Sequence, residues 1–293
     1  MTAPFYLAIG GRLVIVGKEP DGDSVRFVAT NPGLYTQLKN AHRIRPSADG
    51  SVQLRFEGVD APEVHYGKAA QPLGNEARDR LLTWIGFTDI VYAPPGLTRV
   101  TSATPDGVDA LILTQAAEVN GRPVAYLLLA GQGQLPADGT WASVDRPLLD
   151  QTLNARLLVD GQAYPTVYTS TPVSHRAHLR TLAIEARDAG RGLWTEDSTP
   201  EFVLEDQASI GPAGQLILPK LFRRATDYLK ATATGFQGNL VDWLLAVSTS
   251  PTRNENDRVL VCGMELHLSD LLVQANRRIS FQPDLVDVVF VEK

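Results

Sequence analysis

The chain has 293 residues, 44% of them hydrophobic and 20% charged. That is enough for two modest domains, or one with large insertions, and apolar enough to exclude a disordered tail. The formal net charge of −6 excludes the diffuse basic field that usually drives phosphate binding, so phosphate chemistry here would rest on individually placed cations. A single cysteine, Cys262, excludes an internal disulfide and a cysteine-based metal cluster; in the apolar run 259–262 it reads as a small buried hydrophobe.

No apolar run reaches the ~18 residues of a membrane span. The N-terminal MTAPFYLAIGG lacks the charged start and apolar length of a signal peptide. The chain therefore reads as cytoplasmic as written, with no membrane partner; removal of an earlier leader would leave secretion open.

In chain order, residues 11–17 (GRLVIVG) and 24–29 (SVRFVA) read as strands joined by the turn Glu19-Pro20-Asp21-Gly22-Asp23. The polar stretch 30–50 reads as an inserted loop. Residues 51–59 (SVQLRFEGV) form a third strand that ends in Asp60-Ala61-Pro62-Glu63. Residues 75–85 have a helical stripe of Ala77, Leu81, Leu82 and Ile85. Short extended pieces follow near Val91, Val100 and 110–114, then a stronger strand at 123–130 (PVAYLLLA). A Gly/Pro/Asp-rich loop, 131–145, leads into a helix at 147–158. Residues 163–168 are extended, and a helix at 178–189 is stopped by Gly190 and Gly192. This order suits an α+β, mainly β fold: a five-stranded OB-type barrel with packed helices.

Ser198-Thr199-Pro200 marks a boundary between a barrel domain (1–199) and a small C-terminal α+β domain (200–293). In the second piece, residues 221–229 (LFRRATDYL) and 240–247 read as helices. Strands are expected at 259–262, 279–281 and 286–291, and Ser269 is expected to cap a short helix at 270–275. His267 and Asp270 read as surface polar residues. The piece carries no catalytic set and reads as an accessory or interaction module for an unknown partner.

Two kinds of residue carry candidate chemistry. Asp23 starts a strand after an Asp-Gly turn, and Asp60 and Glu63 bracket Ala61-Pro62 at a strand end. Oxygen ligands on turns and strand ends suit a hard cation such as Ca²⁺, although Asp-Gly and Asp-Ala-Pro are also ordinary turn chemistry. Arg55 lies on the strand leading to Asp60, and Arg122 opens the strand 123–130. Either alone is ordinary rim chemistry. Beside carboxylates, their planar forks could clamp a phosphate and stabilise its transition state.

Taken together, these pieces resemble the staphylococcal-nuclease family over about residues 10–197. Asp21-Gly22-Asp23-Ser24-Val25 is similar to that family's first motif, and Arg55-Phe56-Glu57-Gly58-Val59-Asp60-Ala61-Pro62-Glu63 to its second. Gly74-Asn75-Glu76-Ala77, Gly121-Arg122-Pro123-Val124-Ala125-Tyr126, Leu153-Asn154 with Gly161, and His178-Leu179-Arg180 through Trp194 follow in the same order. The resemblance implies a Ca²⁺-dependent endonuclease acting on DNA or RNA. It would have little base specificity, cleaving the 5′-side P–O bond to leave 3′-phosphate ends. Asp23, Asp60 and the backbone carbonyl of Ala61 would hold the metal. Glu63 would orient or deprotonate water, and Arg55 and Arg122 would bind the scissile phosphate.

The chain also departs from that pattern. Familiar members are lysine-rich; here residues 1–200 hold 18 Lys+Arg against 21 Asp+Glu, and Lys18, Lys39 and Lys68 are the only lysines among them. Val119 and Asn120 stand where Lys-Tyr often precedes the second Gly-Arg. Residues 30–50, 96–109 and 131–145 look inserted. The first holds Lys39, Arg43 and Arg45, which read either as scattered solvated charge or as a replacement substrate arm. Tyr168, with Tyr164 and Trp194, reads mainly as hydrophobic closure, with an approach to substrate as its other role. The acidic balance leaves an alternative: a non-catalytic nucleic-acid or protein-binding module on the same fold.

Overall fold

The computed structural model describes residues 3–94, 96–131, 133–248 and 255–292. Met1 and Thr2 of the N-terminal stretch and Gln132 of the 131–145 loop lie outside them.

Strand β1 (Phe5–Val14) begins six residues before the expected strand. Tyr6, Leu7, Ala8 and Ile9 are all fully buried, so this half has no period-2 alternation to read. After β2 (Arg26–Ala29), residues 30–50 form two 3₁₀ turns, Pro32–Gln37 and Ala41–Arg43. They bury Leu34, Tyr35, Leu38 and Ile44. The expected loop is thus a packed cap with polar residues on its outer side.

The single strand expected at 51–59 is three short ones: β3 (Val52–Gln53), β4 (Arg55–Phe56) and β5 (Val59–Asp60). Helix α1 (Gly74–Ile85) follows, with Ala77, Leu81, Leu82 and Ile85 buried, as its stripe predicts. Strands β6 (Thr88–Tyr92) and β7 (Val100–Thr104) form a hairpin, followed by β8 (Val108–Ala117), β9 (Pro123–Leu129) and β10 (Trp141–Ser143). The main sheet runs β3-β2-β1-β8-β9-β4, with β10 also on β1. Its two end strands, β3 and β4, are neighbours in sequence on either side of Leu54. One extended run therefore pairs with β2 on one edge and with β9 on the other, and the sheet is a nearly closed, barrel-like one. The result is a mixed α+β protein with helices packed around that sheet.

The helix expected at 147–158 is two: α2 (Arg146–Asp150) and α3 (Leu153–Val159). Thr152 breaks the run by capping α3, its hydroxyl accepting the Ala155 N–H at 3.1 Å. Strand β11 (Tyr164–Pro165) pairs with β5, and β12 (Val167–Tyr168) follows. Helix α4 (Val173–Asp188) starts right after Pro172, five residues earlier than expected, because proline fixes the entry to its first turn.

The remaining elements are β13 (Glu201–Val203), α5 (Pro219–Ala233), α6 (Leu240–Ser248), β14 (Arg258–Val261), β15 (Met264–His267), β16 (Leu272–Ala275), β17 (Arg278–Phe281) and β18 (Val289–Phe290). β18 pairs in parallel with β12, Tyr168 opposite Phe290, so residues on both sides of Pro200 share one sheet and one hydrophobic core. Two local expectations fail. Cys262 is exposed: it sits with Gly263 at the two-residue tip between β14 and β15, both at positive φ (51° and 79°), the geometry of a tight hairpin. The short helix at 270–275 is instead a 3₁₀ turn, Leu268–Leu271, running into β16. Ser269 does not cap it; its hydroxyl and N–H pair with the buried side chain of Asn256 at 2.9 Å each.

Candidate active site

The site lies where the β1–β2 turn, the end of β5 and helix α5 meet. Gly22 is required there: a Cβ would stand 2.7 Å from that of Ala61 and 3.0 Å from that of Ala77. This close approach folds Asp21 and Asp23 against the 60–64 segment. Asp21 accepts from the backbone N–H groups of Gly22 (2.7 Å) and Val64 (3.3 Å). Asp23 accepts from that of Ala61 at 3.1 Å. Asp60 is 6% exposed, and Glu63 is held by reciprocal backbone and side-chain bonds with Gln71.

Four carboxylates thus share a poorly solvated corner. Burial, reinforced by Asp60 and Glu63, pushes the Asp23 carboxyl up to about 7. Burial, reinforced by Asp23 and Glu63, raises Asp21 as well. Burial also raises Glu63, against the pull of Arg223. Like-charged oxygens with too little water favour either a proton on one of them or a cation beside them.

The cation present is the guanidinium of Arg223, from α5. It forms a two-pronged ion pair with Asp60 (3.2 and 2.8 Å) and also donates to Glu63. Burial opposes its charge, and Asp60 and Glu63 more than restore it. As arranged, no three His, Cys, Asp or Glu side chains among the described residues stand so as to hold a metal ion. The guanidinium lies between two of the natural donors. The donor set itself, all carboxylate oxygen and short of positive charge, fits a hard divalent cation in kind.

The structure divides the sequence-selected cations. Arg55 is half-buried and donates to the Tyr168 hydroxyl at 2.8 Å, its guanidinium 4.7 Å from the ring centre. The same hydroxyl accepts from Lys220 of α5 at 3.0 Å. Burial works to raise the Tyr168 phenol, but Lys220 and Arg55 pull it below its ordinary value. Arg55 and Tyr168 line a cavity of about 430 Å³ together with Lys39, Arg43 and Glu57. Arg45 turns back onto its own loop, donating to the carbonyls of His42 and Ile44. Arg122 lines a separate shallow cleft with Asp21, Ser24 and His65. It pairs with Glu118 at 3.0 Å; burial works to raise that carboxyl, and Arg122 pulls it below the usual range. Gly121 allows this turn: its φ is +80°, and a Cβ would meet the Arg43 carbonyl at 2.2 Å.

Sequence reasoning misses Asp21, Glu57, Glu118, Lys220 and Arg223. Asp21 lies inside a motif whose second aspartate alone stands out as a ligand. Lys220, Arg223 and Asp227 recur at i, i+3 and i+7 of α5 and reach Tyr168, Asp60/Glu63 and Tyr66 (2.6 Å) respectively. That polar stripe beside the apolar face is legible as a pattern, but its targets are not.

The chain is similar to proteins named probable endonuclease LCL3. It is 34% identical to that of Clavispora lusitaniae over 89 residues, which is 29% of this chain and 37% of the relative. Identity is 37% to that of Debaryomyces hansenii over 89 residues (29% and 37%), and 34% to that of Scheffersomyces stipitis over 79 residues (25% and 34%). The match thus spans little more than a third of these relatives' length. No family model matches the chain. Among the described residues, no helix is long and apolar enough to cross a membrane.

Proposed function

We propose that this chain is a metal-dependent phosphodiesterase of the staphylococcal-nuclease type, on an OB-type barrel, that hydrolyses DNA or RNA with little base specificity. The observation that carries the reading is the convergence of Asp23, Asp60 and Glu63 in one corner, Asp23 accepting from the Ala61 N–H and one guanidinium donating to both Asp60 and Glu63, with Arg55 interacting electrostatically with Asp60. Similarity to proteins named as endonucleases supports it.

Asp23, Asp60 and the Ala61 carbonyl would hold a hard divalent cation, Ca²⁺ by preference. When bound, it would supply Lewis-acid stabilisation and help to position water. Glu63 orients the attacking water and takes its proton. The water oxygen bonds to phosphorus as the 5′-side P–O bond breaks, leaving a 3′-phosphate on one product and, once the departing 5′-oxygen takes a proton from solvent, a 5′-hydroxyl on the other. Arg55 holds the phosphate oxygens as charge builds on them, with Tyr168 fixing its fork. Arg122 reaches the phosphate from the other cleft on giving up Glu118. Lys39 and Arg43 hold neighbouring phosphates along the cavity. A second reading, a non-catalytic nucleic-acid or protein-binding module, is favoured by one observation: Arg223 pairs with both Asp60 and Glu63.

The two readings part on a simple assay, hydrolysis of single-stranded DNA and RNA by the full chain in millimolar Ca²⁺, beside Asp60→Asn. We expect end-labelled products carrying 3′-phosphates, and their loss in the variant. Binding without hydrolysis would establish the second reading.

A further inference from the structure

Resting on the proposed metal site, we infer that helix α5 carries a built-in competitor for that site. Arg223 must release Asp60 before a divalent cation can take it, and must release Glu63 before that side chain can orient water, so this one residue sets the protein's metal affinity.

The geometry separates the competitor from the scaffold that presents it. α5 is docked by the fully buried Leu221 and Phe222, whose removal from water holds the helix to the core. Arg224 pairs with Asp257 at 2.8 and 2.9 Å, the Tyr66 hydroxyl donates to Asp227, and Gln71 donates to the Ile217 carbonyl at 2.6 Å. None of these contacts involves Arg223. Its side chain is 21% exposed, so a long flexible stem can swing the guanidinium to water while the helix stays in place. The charge it neutralises is the charge a metal would neutralise, on the same oxygens. A single positive charge also leaves Asp21 and Asp23 without an ion-pair partner among the described contacts, so a divalent cation answers the corner's demand more fully than Arg223 does. Asp60 cannot serve both at once, because the guanidinium bonds to both of its oxygens. Metal binding is therefore an exchange, and its affinity is reduced by the free energy of the pair being broken.

The test is calorimetric titration of CaCl₂ into the full chain, Arg223→Gln and Arg223→Lys, with thermal unfolding of each in chelator and in Ca²⁺. Arg223→Gln is expected to bind Ca²⁺ at least tenfold more tightly than the parent. Arg223→Lys keeps charge but loses the fork and should fall between. In chelator Arg223→Gln should unfold at lower temperature than the parent, since its carboxylates are left unpaired, and Ca²⁺ should raise its Tm by more than it raises the parent's. That last readout holds even if the variant is barely folded without metal. If the parent binds Ca²⁺ and Arg223→Gln binds it no more tightly, the competition is refuted and the metal site stands. If neither binds, the competition and the metal assignment fall together.

Discussion

The carboxylate corner and the cationic cavity beside it differ in how they are built. The corner is local: Asp21 and Asp23 share one turn, Asp60 and Glu63 share another, and a single close approach at Gly22 brings the turns together. The cavity is assembled from distant pieces: Lys39 and Arg43 from the packed 30–50 segment, Arg55 from β4, Glu57 just beyond it, and Tyr168 from β12. The corner holds negative charge that nothing local neutralises, and its answering cation comes from residue 223. The cavity holds positive charge already fixed by an aromatic hydroxyl. Fixed donors are what binding a developing charge requires, whereas an uncompensated cluster is what exchange of a cation requires.

Among the cationic side chains the greatest loss of rate should come from the two arginines, and it tests whether Arg55 and Arg122 belong to one unit. Arg55→Lys keeps charge but loses the fork that Tyr168 fixes, and should lower kcat by roughly 10²-fold or more. Arg122→Lys should also be costly, but less so, since that side chain starts on Glu118 in a different cleft. Steady-state hydrolysis at saturating substrate measures both. A loss below about threefold for each would make them rim residues.

A more modest change probes the far wall of the cavity. Replacing Lys39 and Arg43 together by Ser should raise KM at low salt and leave kcat nearly unchanged, because neither residue touches the carboxylate corner. Each phosphate contact removed should reduce the salt slope by about 0.7 for a single strand. Arg45→Ser should change neither quantity, since Arg45 bonds to its own loop. Equal effects from Arg45 and Arg43 would dissolve the distinction between them.

The mildest change is one of stability. Burial pushes the Glu57 carboxyl from 4.5 up to about 7, against hydrogen bonds from Thr171 and Tyr6. A raised folded-state value favours the protonated form, so its stabilisation is full below about 4.5 and is lost as pH rises through about 7. Glu57→Gln should therefore flatten the fall in metal-free stability across that window, by an amount on the order of 1–3 kcal/mol. Denaturant unfolding in chelator at pH 5 and pH 8 measures it; an unchanged pH dependence would place the carboxylate in water.

Much of the corner is legible in the sequence alone, and the reason is physical. Asp-Gly-Asp and Asp-Ala-Pro-Glu are turn chemistry with fixed local geometry, so their carboxylates are where the turns put them. The helical stripe of α1 and the strand of β9 are legible for the same reason, since their periodicity is local. The features that escape sequence reasoning are longer in range or finer in scale. The start of β1 carries no alternation because both its faces are buried. The break between α2 and α3 hangs on one capping hydroxyl. Cys262 sits at a hairpin tip that an apolar run conceals, and residues 272–275 are held as a strand by pairing with β17. Arg223 is invisible because nothing in LFRRATDYL encodes which distant carboxylates its polar stripe will meet.

Whether the carboxylate corner is a cation site serving phosphodiester hydrolysis is decided by one titration. The initial rate of cleavage of a short single-stranded oligonucleotide by the full chain is followed as free Ca²⁺ rises from excess chelator to millimolar. The expected result is no cleavage in chelator, a saturable rise with Ca²⁺, and the loss of that rise in Asp23→Asn. Cleavage that proceeds unchanged in chelator would contradict the assignment.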